Sequence, residues 1–129
     1  MPKIYFKQIS KKHRGVFARK KIKKGEVIEI CPVIIMPKRD QKILDKTNLF
    51  SYYFYWGRNN TSAIALGYGS LYNHSYTPNA EYEENVRKKV IVFKAIRNIK
   101  KGEEILTNYN GNSDSKEKVW FKVKKTTQK

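Results

Sequence analysis

Cysteine and histidine are nearly missing from the chain, which has one Cys, Cys31, and two His, His13 and His74. A lone cysteine excludes an intramolecular disulfide. The two counts together exclude a Cys-rich zinc site, and no metal is expected. Acidic residues are scarce as well. Eleven Asp and Glu stand against 28 Lys and Arg, a net charge of +17. Such an excess attracts polyanions and repels basic partners, except near local acids such as Glu81, Glu83, Glu84, Glu103 and Glu104. No apolar run approaches the ~18 residues of a membrane span, and no apolar signal region follows Met1. An intracellular protein, cytoplasmic or nuclear, with no membrane contact is expected.

The residues that are present point to a single β-rich domain. A length of 129 residues suggests one domain with a modest core. Nine Tyr, six Phe and two Trp must fill that core or line a pocket. Strands are read over 3–9, 26–36, 61–66, 90–96 and 103–109, where β-branched and apolar residues lie between Gly, Pro and Asn. Pro32 marks an edge or a bulge in the second of these. "IKKGEVIEI" (22–30) is echoed by "IKKGEEIL" (99–106), which predicts two similar turns, each with Gly at a positive φ, feeding two strands. Residues 38–57 are ambiguous. Ile43, Leu44 and Leu49 are weakly helical, and "FSYYFYW" places six aromatics in seven positions, too many for an open surface. Ser113 or Asp114 could cap a short helix carrying Val119, Trp120 and Val123.

The segment "YNHSYTPNA" (72–80) concentrates the polar chemistry. Asn73-His74-Ser75 fits a glycosylation acceptor, which has no use without a signal peptide. A His/Ser nucleophile pair lacks an elbow and an orienting third group. One His and two Asn make a poor metal site. A ligand-binding bend remains, shaped by Pro78 and by the local bonding of Asn73 and Asn79.

"RGVFARKKIKKGEVIE" (14–29), "ALGYGSLYNHSYTPNAEY" (65–82) and "IKKGEEILTNYNG" (99–111) follow one another in this order. Together they closely resemble the SET-domain protein lysine methyltransferases over roughly residues 3–112. The resemblance implies a mainly β fold of short curved sheets, with a C-terminal pseudoknot and few helices. The SET domain then spans 1–112, with a variable insert at about 38–60 and a C-terminal flank at 113–129. It also implies methyl transfer from S-adenosylmethionine to the amine of a protein lysine, on a histone or another protein.

In this scheme Tyr109 is the catalytic tyrosine. Tyr52 is the second channel tyrosine, a role that Tyr53 could also fill. Asn73 and His74 contact the cofactor, Arg14, Gly15, Val16 and Phe17 form a loop beneath it, and Trp120 or Phe121 covers it. His13 stands in place of the first glycine of the family's Gly-x-Gly, Ser70 where an Arg is frequent, and Tyr76 where relatives with a zinc tail carry Cys. A homodimer that completes the substrate groove is a further expectation. The charge of +17 leaves an alternative, a catalytically weak SET scaffold that binds nucleic acid or chromatin.

Overall fold

The computed structural model describes residues 2–11, 13–57 and 61–110. Trp120, Phe121 and the helix expected after Ser113 lie outside the described residues. Among those described, no helix is long and apolar enough to cross a membrane, and no three His, Cys, Asp or Glu come together as metal ligands.

The chain opens with an antiparallel hairpin of β1 (Ile4–Ser10) and β2 (His13–Ala18). Residues 14–17, expected as a loop, are the middle of β2. Val16 and Ala18 are fully buried, because Gly-Val-Phe-Ala is compact and apolar enough to lie against the core. β3 (Val27–Met36) is the longest strand. Its first half pairs with β8 (Val90–Ala95) and its second half with β5 (Thr61–Ala65). With β4 (Tyr53–Trp56) and β7 (Ala80–Asn85) at the edges, the sheet order is β4-β5-β3-β8-β7. One strand shared by two ladders curls the sheet. Pro32 therefore sits in the central strand and not at an edge. It falls where pairing passes from β8 to β5, a place that tolerates the missing N–H. The ambiguous segment resolves into α1 (Asp40–Leu44) followed by β4. Trp56 enters the core while Tyr55 stays exposed.

A third pairing closes the fold. β6 (Asn73–His74) and β9 (Leu106–Thr107) run parallel, with Asn73 opposite Leu106 and His74 opposite Thr107. The strand expected over 103–109 is thus only two residues long. Residue 104 instead makes an isolated bridge to Phe17.

Asn79 staples this junction. It is fully buried; its Nδ2 donates to the Glu104 carbonyl at 2.8 Å and its Oδ1 accepts from the Leu106 N–H at 2.8 Å. Its own N–H donates to the Leu106 carbonyl at 3.2 Å. The side-chain amide stands in for one more rung of backbone pairing. The core gathers between hairpin and sheet around Phe93, Ile91, Ile22, Ile99, Ile105 and Val16. The two echoed turns form as expected, with Gly25 at φ 86° and Gly102 at φ 85°.

Candidate active site

The parallel pair brings Asn73, His74 and Tyr109 together. His74 is almost fully buried, and its Nδ1 accepts the Tyr109 N–H at 3.0 Å. The ring proton is therefore on Nε2, which has no partner among the described residues. Burial holds the His74 pKa below its ordinary value. The unfolded chain takes up this proton below about pH 6.5 and the folded chain only at lower pH. Stability tied to neutral His74 is accordingly complete above pH 6.5 and is lost as the pH falls below it. Melting temperatures taken from pH 8 to pH 5 are expected to fall on the acid side, and to fall less in His74→Gln.

Asn73 is held by both amide protons. Its Nδ2 donates to the Arg14 carbonyl and to Glu104 Oε2, each at 2.8 Å, which leaves Oδ1 as an acceptor. Gly15 is required here by close approach. A Cβ on it would lie 2.5 Å from Glu104 Oε2 and 3.1 Å from Asn73 Nδ2. The buried Glu104 carboxylate and the Asn73 Oδ1 are acceptors that suit a polar ligand carrying a cationic ammonium. Of the segment 14–17, Arg14 and Gly15 reach this place through backbone, whereas the Val16 side chain belongs to the core.

Beyond His74 lies a half-open cavity of about 50 Å³ lined by Tyr52, Tyr72, Tyr82, Tyr109, Ser70 and Thr107, among others. Both tyrosines expected in a channel face it. The Tyr109 hydroxyl donates to the Tyr72 carbonyl at 2.6 Å, and the Tyr82 hydroxyl donates to the Tyr109 carbonyl at 3.2 Å. Burial raises the Tyr109 hydroxyl well above its usual pKa and pushes Tyr82 up to about 12. Both remain neutral hydroxyls at working pH and are poor bases. Behind them runs an aromatic wall. Tyr72 stacks on Phe93 with centroids 4.2 Å apart, and Phe54 meets Tyr82 edge-on at 5.0 Å. Ser70, at the place of the missing Arg, donates to the Tyr52 carbonyl at 3.1 Å or to the Ala65 carbonyl at 3.2 Å. Tyr53, the other candidate for the second channel tyrosine, turns its hydroxyl to Asp45 at 2.7 Å.

A family model for the SET domain matches residues 13–110. The chain belongs to the SET domain family. A curated relative of this SET domain is the histone-lysine N-methyltransferase of Schizosaccharomyces pombe specific for histone H3 lysine-37. It is 29% identical over 92% of the chain and 76% of that protein. A crystal structure from Plasmodium falciparum, described as a candidate histone methyltransferase, is 36% identical with a TM-score of 0.66. It covers 84% of this chain and 94% of that chain. The Polycomb repressive complex 2 of Chaetomium thermophilum, in an autoinhibited form bound to S-adenosylmethionine, shares the fold with a TM-score of 0.69 at 21% identity. That match covers 84% of this chain and 15% of the longer chain.

Sequence reasoning passed over three residues of the site. Tyr82 lies among carboxylates in "AEYEEN". The period-two pattern there, with Glu81 and Glu83 exposed and Tyr82 half-buried between them, was the available signal. Tyr72 serves through its carbonyl, which no motif reveals.

The third residue is Glu29, on β3. Its Oε1 accepts the Tyr72 hydroxyl at 2.8 Å and its Oε2 the Tyr68 N–H at 2.9 Å. It therefore fixes the residue whose carbonyl meets Tyr109. Glutamine can keep both bonds, because its carbonyl accepts from Tyr68 and its amide donates to a rotated Tyr72 hydroxyl. Glu29→Gln is thus expected to cost under about 1 kcal/mol, whereas Glu29→Leu strands both donors and costs about 2–4 kcal/mol. Urea unfolding of the two variants checks this.

Proposed function

We propose that the chain transfers a methyl group from S-adenosylmethionine to the side-chain amine of a lysine on a histone, and so acts in the nucleus. The observation that carries this reading is the tyrosine-lined cavity that opens beside the Asn73–His74 bend. The bend offers acceptors to an amino-acid-like cofactor, and the cavity beside it is small, about 50 Å³, and walled by aromatic rings. When bound, S-adenosylmethionine supplies a methyl on a positively charged sulfur, which keeps the bonding electrons as the methyl leaves.

The remaining work falls to the chain's own residues. The aromatic walls exclude water from the lysine stem, which favours the neutral amine, whose lone pair is the nucleophile. The hydroxyls of Tyr109 and Tyr52 and the Tyr72 carbonyl offer oxygens that orient the amine's hydrogens and so aim its lone pair. No protein base is needed, in keeping with hydroxyls that burial holds neutral.

The test is intact-mass and peptide mapping of core histones incubated with the protein and S-adenosylmethionine, alongside calorimetry of the cofactor alone. Mass increments of one methyl or more on lysine, together with measurable cofactor heat, are expected. Cofactor binding without methylated lysine would overturn the substrate assignment, and absence of both would overturn the whole reading.

A further inference from the structure

The two echoed turns have no part in the site, and none of their exposed residues lines the cavity. Their sequences are "ARKKIKKGE" (18–26) and "AIRNIKKGE" (95–103). The fold joins them head to tail, and the hydrogen bonds repeat when the segments are exchanged. Ile22 N–H donates to the Ile99 carbonyl at 2.9 Å, and Ile99 N–H to the Ile22 carbonyl at 2.8 Å. Gly25 N–H reaches the Ala95 carbonyl and Gly102 N–H the Ala18 carbonyl, both at 2.8 Å. Ala95 N–H reaches the Glu26 carbonyl and Ala18 N–H the Glu103 carbonyl, both at 3.0 Å. Even the carboxylates match, since Glu26 Oε1 accepts the Lys23 N–H at 3.0 Å and Glu103 Oε1 accepts the Lys100 N–H at 2.9 Å. The result is a rigid unit with a local two-fold axis through the Ile22–Ile99 bridge.

This symmetry arrays positive charge. Glu26 is engaged by Lys3 at 2.7 Å and Glu103 by Arg97 at 3.1 Å. Arg19, Lys20, Lys21, Lys23, Lys24, Lys100 and Lys101 are exposed and make no ion pair among the described residues. A Cβ placed on Gly25 or Gly102 would meet nothing within 4 Å, so the turn tips are open to an approaching surface.

We propose that this unit is a docking surface for the phosphate backbones of duplex DNA. Lys23 and Lys24 take one strand, and Lys100 and Lys101 take the other. The exposed side chains of both segments are Lys, Arg and Asn alone, with Ile22 and Ile99 buried. No aromatic is present to stack an unpaired base, and no apolar wedge to enter a lipid surface. The lysine pairs lie on either side of the bridge, at most roughly 20 Å apart at ~3.3 Å per residue. That is the scale on which a major groove about 12 Å wide separates its two backbones. A duplex has dyads that such a unit can match, and a single strand has none. The proposal stands apart from the methyl-transfer reading, because binding is measured without cofactor.

The experiment is fluorescence anisotropy on a short labelled DNA duplex across a salt series, using the full chain. Four phosphate contacts predict a slope of log K against log salt about 3.6 units steeper than without them, which is about 100-fold in affinity between 50 and 200 mM. The variant Lys23→Gln/Lys24→Gln/Lys100→Gln/Lys101→Gln should lose that share of the slope, and each half-variant about half of it. These lysines are hydrogen-bonded through backbone only, so the variants should melt like the parent. A control with the same charge loss, Lys38→Gln/Lys42→Gln/Lys46→Gln/Lys88→Gln, should change affinity less than threefold. Equal losses in patch and control variants would overturn the proposal. So would single-stranded DNA, duplex RNA or anionic vesicles bound as tightly as duplex DNA, or duplex binding that is absent or indifferent to salt.

Discussion

Tyr109→Phe is expected to lower kcat by about 10²–10³-fold while leaving a folded protein. The lost hydroxyl donates to the Tyr72 carbonyl at 2.6 Å, and in the proposed reaction its oxygen lone pairs face the reacting amine. Removing it withdraws an acceptor where positive charge sits in the transition state and frees the Tyr72 carbonyl to drift. The ring stays, so the wall it forms beside His74, with centroids 5.2 Å apart, is preserved. Stability should fall by only about 1 kcal/mol, the usual worth of one hydrogen bond. Because burial holds this hydroxyl neutral, the rising limb of the pH–rate profile belongs to the substrate amine. The variant should lower the whole profile without moving that limb. Steady-state rates on a histone substrate, with a melting curve of the same sample, decide the matter. Activity within threefold of the parent would remove Tyr109 from the chemistry.

The largest effect on stability is expected from Asn79→Ala. The side chain is fully buried and bonds the Glu104 carbonyl and the Leu106 N–H. Alanine cannot replace either bond, and water cannot reach the orphans. Each stranded group costs about 1–3 kcal/mol, so a loss of about 3–5 kcal/mol is expected, out of the 5–15 kcal/mol typical of a domain. At roughly 4 °C per kcal/mol the melting temperature should drop by more than about 10 °C. Methyl transfer should fail with it, because Leu106 and Thr107 carry the chain into Tyr109. Differential scanning calorimetry gives the answer directly. A shift under about 3 °C would mean that the parallel pair holds without its staple.

These two residues also mark what the sequence made legible. Tyr109 and the bend at 73–79 were singled out in advance by the resemblance of three ordered motifs to one family, and the structure brings them together. The strands Val27–Met36 and Val90–Ala95 could be read as well, since continuous β-branched runs have few other uses. The role of Asn79 could not. It looked like a turn former, and only the arrival of residues 104–106 from far along the chain turns its amide into a rung. The same holds for β6 and β9, two residues each, too short for any periodicity to register. Tyr52 and Tyr53 were indistinguishable in a run of aromatics. Both line the cavity, and what tells them apart is the Tyr53 hydroxyl, which is bonded to Asp45. Tyr82 was hidden because its neighbours are carboxylates.

The parallel pairing of residues 73–74 with 106–107 also bears on how the molecule assembles. Antiparallel strands can zip outward from a turn, but a parallel pair must wait for its connecting chain to find its place. Here that connection includes β7 and β8, which are themselves part of the sheet. Hairpins need no such wait, whereas β9, which leads into Tyr109, can pair with β6 only when that intervening chain has brought it there. Chains rich in such distant contacts fold in milliseconds to seconds rather than microseconds. The bend at 73–74 and the tyrosine-lined cavity both depend on that one pairing, and a chain that has not made it holds neither.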